Sequence, residues 1–293
     1  MKELLADLWR IGRFTPVAPS QRLAYGCGAL LILSGLVHMV VFLVDGGSWE
    51  GPVSWRKPIV FGLSFGLTVM TLTWFTTFFR PLRSMAWLLL GLLSLASLGE
   101  VFLISMQRWR GVPSHFNEST TFDSTVFSWM GMLVAIIALV IVALTVWSFA
   151  RMDAPASLAI AIRLGLVLML ASQAVGVQMI VEGGNTYGDE GALKVPHAFT
   201  IHAVQVLPAL ALLLLASEHP ERRRVRILAL GAAGYSLLIA STMVQAYSGR
   251  GPLDPAVLSS MLAVVGLVLL AMSAVLALRG AAGRTRAPVE VHG

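Results

Sequence analysis

Long apolar runs with few interruptions dominate this chain, and they recur eight times. They cover roughly residues 23–44, 57–79, 85–106, 126–150, 157–181, 197–216, 226–247 and 255–278. Each reaches the roughly 20 residues that a helix needs to cross a hydrocarbon core of about 30 Å at about 1.5 Å per residue. None shows the apolar–polar alternation of a strand, and the short alternating segments of an outer-membrane barrel are absent. Backbone groups in lipid have to bond within their own segment, so the pattern predicts an all-α polytopic membrane protein with eight transmembrane helices. Residues 1–21 read differently. Leu4, Leu5, Leu8, Trp9 and Ile11 lie among charges there, as in a short cytoplasmic interfacial helix. The first apolar run begins near residue 23 and is long enough to span, so it reads as an anchor rather than a cleaved signal. Residues 280–293 are expected to form a frayed cytoplasmic tail.

The runs also echo one another. Val37-His38-Met39-Val40-Val41, followed by Asp45-Gly46-Gly47, matches Val177-Gln178-Met179-Ile180-Val181, followed by Glu182-Gly183-Gly184. Lys57, Pro58 and Phe61 match Lys194, Pro196 and Phe199. Gln107 and Gln245 close the third and seventh runs, Arg110-Gly111 and Arg250-Gly251 follow them, and Asp123 aligns with Asp254. The offsets stay between 131 and 140 residues. This predicts a parallel 4+4 repeat, residues 22–150 and 151–279, with a pseudo-two-fold axis along the membrane normal. Within it, Asp123 and Asp254 are expected to be N-caps of the fourth and eighth helices, and Pro58 and Pro196 to sit at helix starts.

Composition narrows the class. Of 293 residues 57% are hydrophobic and 12% charged, about half the charge of a soluble domain, which excludes a water-soluble globule and a disordered chain alike. A single cysteine, Cys27, excludes a disulfide framework and any CxxC motif. The net charge of +6 would suggest nucleic acid until the charges are placed. Fifteen of the 21 Lys and Arg residues fall on the termini and one set of turns, leaving Arg56, Lys57, Arg108, Arg110, Lys194 and Arg250 opposite. In short loops that asymmetry puts both termini in the cytoplasm, in a plasma or bacterial-type inner membrane. The bilayer is then the expected partner, and nucleic acid drops out.

An ionisable group inside a span costs on the order of 3 kcal/mol, so each one asks for a reason. His38 and Glu100 fall about 10 Å below the outer helix ends and His202 about 8–9 Å below. Gln107, Gln178, Gln205 and Gln245 lie near that level, and His115 and His197 at the interface. In the repeat His38 pairs with Gln178, His202 with Ser64 and Glu100 with Leu238, so the titratable members are not needed by the shared frame. The glutamines at helix ends read as interhelical glue, Gly62 and Gly66 as close packing, and Trp74, Trp87 and Trp147 as interfacial anchors. The segment from Gln107 to Asp123 is long for a helical hairpin and dense in chemistry, as functional loops tend to be. Glu182 to His197 forms a second, Gly-rich outer loop.

Two cofactor readings follow. His38 and His202, at similar depth on different helices, suit bis-imidazole ligation of haem, with Arg56 and Arg110 pairing its propionates. The eight-span plan with outward histidines resembles the architecture of the haem A synthases, although that family's local motifs are absent. Alternatively His115, His197 and His202 hold a divalent metal such as zinc, with Glu100 and His115 as the acid–base groups of an enzyme. His197 and His202 lie about 140° apart around a helix, and converge only if His197 precedes the helix proper. The other reading is a secondary carrier for a small anion, a lipid or a proton-coupled substrate, or a non-catalytic assembly factor. A lipid or quinone-like apolar molecule is a candidate substrate. P-loop, dinucleotide, nucleophile-elbow and EF-hand motifs are absent, which argues against ATP-driven or hydride chemistry.

Overall fold

The computed structural model of the chain describes residues 8–9, 11–16, 18–79, 83–251 and 253–284. Among the described residues nine helices of eight residues or more follow one another: α1 Pro19–Asp45, α2 Arg56–Phe75, α3 Arg83–Trp109, α4 Thr121–Ala150, α5 Ala156–Val181, α6 Lys194–Ile201, α7 Ala203–Leu215, α8 Glu221–Tyr247 and α9 Val257–Arg284. A 3-10 turn, Thr76–Phe78, continues α2. Taking α6 and α7 as one segment, eight helices are long and apolar enough to cross a membrane, and every apolar run corresponds to one of them. Of the expected interfacial segment, residues 1–7, 10 and 17 lie outside the described residues. So do residues 285–293 of the tail; α9 itself runs on to Arg284, past the point where fraying was expected.

The break in the sixth span has an identifiable cause. Tyr235 Oη donates to the Phe199 carbonyl at 2.6 Å, the acceptor that the Ala203 N–H would take in a continuous helix, while Pro208 inside α7 leaves only the Val204 carbonyl without its helical donor. The chain turns at His202, whose carbonyl accepts the Gln205 N–H at 3.0 Å, a tightened step between α6 and α7. Between α5 and α6 the sequence pattern missed a two-residue antiparallel ribbon, β1 Thr186–Tyr187 with β2 Gly191–Ala192. Gly188, at φ +59°, supplies the left-handed residue of its turn.

The chain forms two compact units. One is Thr15–Arg151; the other is Met152–Gly293 together with Met1–Phe14. In the first, α1 and α2 meet backbone to backbone. A Cβ at Gly62 would stand 2.8 Å from the Gly35 nitrogen, and one at Gly66 would stand 2.7 Å from the Gly28 carbonyl oxygen. Only glycine permits that approach, which in lipid replaces the hydrophobic drive by close van der Waals contact. Leu31, Ile59, Leu90, Leu93, Ile104 and Leu144 fill the core beside it. In the second unit the same device joins α8 to α9, where a Cβ at Gly234 would stand 2.7 Å from the Gly266 carbonyl oxygen. Outward positions such as Leu43, Val44 and Val146 are exposed and apolar, as a lipid-facing surface requires.

Candidate functional site

The chemistry of the first unit gathers at the end that carries segments 46–55 and 110–120. A polar clasp builds it. Thr120, in an extended conformation, caps α4: its hydroxyl oxygen accepts the Asp123 N–H at 3.1 Å and its O–H donates to Asp123 Oδ2 at 2.7 Å. Asp123 is therefore not the N-cap expected from sequence; it sits at the third helical position, with its carboxylate turned back over the helix end. Its Oδ1 accepts Gln107 Nε2 at 2.9 Å and Arg110 Nη1 at 2.6 Å, and Arg110 also donates to Gln107 Oε1. The Asp123 side chain is 3% exposed, so these donors stand in for its water.

The second unit carries a looser version. Gln245 at the end of α8 donates to the carbonyls of Gly251 (2.8 Å) and Asp254 (3.0 Å) and accepts the Ala256 N–H at 2.9 Å. Arg250 forms a two-pronged pair with Asp254, 2.9 and 3.0 Å. α9 begins at Val257, so Asp254 is not its N-cap either, and its side chain is 65% exposed.

Segment 110–120 folds inward on its own hydrogen bonds. Asn117 donates to the Pro113 carbonyl at 3.0 Å and accepts from the backbone (3.2 Å) and hydroxyl (2.6 Å) of Ser119. Phe116 is held at φ +56°, strained for an aromatic residue, with its ring 5.3 Å from that of Phe127. That turn brings His115 against Phe61 of α2, ring centroids 5.6 Å apart. Its Nδ1 lies 3.0 Å from Ser114 Oγ, and its Nε2 lies 3.7 Å from Glu100 Oε1.

Glu100 is 1% exposed, and neither carboxylate oxygen has a hydrogen-bond partner among the described residues. Buried polar groups in folded proteins are almost always bonded, so two open oxygens on one carboxyl group call for an explanation. Ser97 and Ser94, further along the buried face of α3, are also unpartnered. The imidazole of His115 titrates far below its ordinary value, at about 4, because burial disfavours its charged form and Lys57 repels it. It is neutral at neutral pH.

His38 stands apart from this pair. Its Nδ1 lies 2.8 Å from the Ser34 carbonyl oxygen and its Nε2 accepts the Trp109 indole N–H at 3.1 Å, which fixes a neutral Nδ1–H tautomer. Trp55 completes the cage, 6.0 Å from the His38 ring, and Arg108 stacks on Trp55 at 3.8 Å. Both ring nitrogens are thus in use. Arg56 pairs with Glu50 at 3.5 Å, and Arg110 belongs to the clasp.

His197 and His202 belong to the second unit. His197 Nδ1 lies 3.0 Å from both the hydroxyl and the carbonyl oxygen of Ser172 on α5; its ring packs over Gly176. It lies within α6, not ahead of the helix as joint ligation with His202 required. His202, at the break, reaches Gln205 Oε1 at 3.2 Å. Among the described residues no group of three or more His, Cys, Asp or Glu side chains is placed to hold a metal ion.

No family model, curated protein or solved structure matches this chain. Its chemistry has to be read from its own residues. Of the site residues expected from sequence, the fold brings Glu100 and His115 together and seats Arg110 one step away in the clasp. Ser114, one of the polar residues that the sequence places in the outer loops, links His115 to the next crevice; Ser54, a 1% exposed hydroxyl with no partner among the described residues, belongs to no set that the sequence suggests. Only the position of Ser54 before Arg56-Lys57-Pro58 could have drawn attention to it.

Proposed function

We propose that this chain is a proton-linked secondary carrier of the plasma or inner membrane, with Glu100 as its proton-binding group and His115 as the partner that relays the proton to the 110–120 side. One observation carries the reading: a fully buried carboxyl group with neither oxygen hydrogen-bonded among the described residues, 3.7 Å from the His115 imidazole at the end of the first unit that carries segment 110–120. Intramembrane carboxylates are rare and mark ion or proton pathways. At that separation the two groups do not bond directly, and a rotamer change or one water closes the gap. The distribution of Lys and Arg supports cytoplasmic termini, so the pair would face outward. Two clasps made from Gln, Arg and Asp in the same chain order support the parallel 4+4 repeat, and duplicated halves are a common carrier plan. The commitment of both His38 nitrogens favours this reading over ligation of haem or zinc, because a ligand role would break two hydrogen bonds first.

The test uses purified protein. Its absorption spectrum and metal content are recorded, and proteoliposomes enclosing a pH-sensitive dye are then challenged with impermeant small anions under an imposed potential. The expected result is a colourless, metal-free protein whose anion-dependent proton flux is abolished in Glu100→Gln. A Soret band or stoichiometric zinc lost in His38→Ala or His202→Ala would overturn the reading, as would flux indifferent to Glu100→Gln.

A further inference from the structure

Beside the Glu100–His115 pair lies a second crevice with an excess of positive charge, about 150 Å³ of empty space that is too narrow as it stands to admit a water molecule, so any ligand enters only after it opens. Ser54, Lys57, Arg108 and Ser114 line it, with Pro52, Val53 and Val112 closing it over. The Lys57 backbone N–H donates to the Ser54 carbonyl at 3.4 Å, while its ammonium group has neither a hydrogen bond nor an ion pair among the described residues. Arg108 has no carboxylate partner; its Nε is buried and unbonded, and its guanidinium face rests on Trp55. The Ser54 hydroxyl, on a residue 1% exposed, is unpartnered and borders the same space. The crevice adjoins both the N-terminal end of α2 and the C-terminal end of α3, whose dipoles oppose each other there, so its positive charge comes from the Lys57 and Arg108 side chains. Two half-buried cations and an open hydroxyl, with no anion paired to them among the described residues, are a recognition set with its counterpart missing.

We propose that this crevice binds a small oxyanion, a carboxylate or phosphate group, with Lys57 and Arg108 as its cationic partners and Ser54 donating a hydrogen bond. The inference rests on the carrier reading only in taking that anion as the coupled substrate; the site itself stands on its own geometry. Access requires the covering segments to swing aside. The chain provides for this: Gly46, Gly47 and Gly51 in one segment and Gly111 in the other all have positive φ, where glycine alone is unstrained and hinges are readily placed. Ser114 connects the two sites, since it lines the crevice and its hydroxyl lies 3.0 Å from His115 Nδ1. An anion beside Lys57 offsets the charge that repels a proton from His115, so proton and anion favour each other's binding, and the coupling is reciprocal.

Calorimetric titration of the full chain with inorganic phosphate and with acetate tests this, in nanodiscs of zwitterionic lipid and again in nanodiscs containing phosphatidic acid. The expected result is saturable binding of at least one anion, weakened about tenfold or more in Lys57→Met and several-fold in Ser54→Ala, restored in Lys57→Arg and unchanged in Arg250→Gln. Competition by phosphatidic acid identifies a lipid headgroup as the source of the oxyanion. No competition identifies a free anion, and the site stands in either case. Absence of saturable binding, or binding equal in wild type and Lys57→Met, overturns it. Anion binding without proton flux would sink the carrier reading and leave the site. Proton flux with normal anion dependence in Lys57→Met would sink the site and leave the carrier.

Discussion

The turn from α3 to α4 and the turn from α8 to α9 use the same three residue types in the same order, and they put them to different ends. In the first, Gln107 and Arg110 converge on a buried Asp123 thirteen residues beyond the arginine. In the second, Arg250 pairs with an exposed Asp254 only four residues on, and Gln245 bonds backbone instead of side chain. The extra chain in the first turn is the segment that folds inward and delivers His115 to Glu100. The second turn has no such insertion, and the aligned position on α8 is the buried Leu238. The contrast extends through the units: of twelve buried side-chain polar atoms without a partner among the described residues, ten belong to the first unit. A closure that both units need has been left simple in one and opened into a polar site in the other.

The comparison can be broken at the clasp. Asp123→Ala strands a partly buried guanidinium and an amide and should cost about 3 kcal/mol, the usual penalty for removing one partner of a buried pair. Asp254→Ala, at a solvent-exposed pair, should cost less than about 1 kcal/mol. Apparent unfolding of both variants in the same detergent checks this, and equal losses would mean that the two clasps are equivalent. A smaller effect of opposite sign is expected at the site. Glu100→Leu installs the residue type of the second unit and removes an unsatisfied carboxyl group, so it should raise stability by about 1 kcal/mol while abolishing proton flux. A variant that loses both would make Glu100 a structural residue.

The finest test is the titration of His115, which faces Glu100 on α3 and Lys57 on α2. With its midpoint at about 4, against an ordinary 6.5, the folded ring stays neutral while the unfolded chain takes up a proton. Its contribution to stability is therefore present at neutral pH and is lost as pH falls from about 6.5 toward 4. Burial is the larger cause and Lys57 the smaller, so Lys57→Met should move the midpoint up only part of the way. Ring-nitrogen NMR in nanodiscs reads it directly; an unmoved midpoint would show that Lys57 does not reach the imidazole.

The eight spans were legible because lipid demands long apolar runs, and nothing else in the chain imitates them. The cap of α4 is legible too, at Thr120, three residues before the expected Asp123. Thr120-Thr121-Phe122-Asp123 is a hydroxyl followed by an acid at the third position, the signature of a reciprocal cap. The site was visible only as residue types. That Glu100 meets His115 depends on a left-handed turn at Phe116, a conformation that its side chain does not announce. That His38 is consumed by Trp109, 71 residues away, depends on the packing of α1 against α3, to which hydropathy is blind. Depth in the bilayer groups His38 with Glu100, and hydrogen bonding separates the two.

In the proposed carrier Glu100 exchanges a proton with the medium while His38 does not take part. Infrared difference spectra between two pH values, recorded on wild type, Glu100→Gln and His38→Gln in nanodiscs, test it most directly. The expected spectrum has a carboxyl stretching band that changes with pH, vanishes in Glu100→Gln and persists in His38→Gln. A spectrum unchanged by Glu100→Gln, or a band lost in His38→Gln, would contradict it.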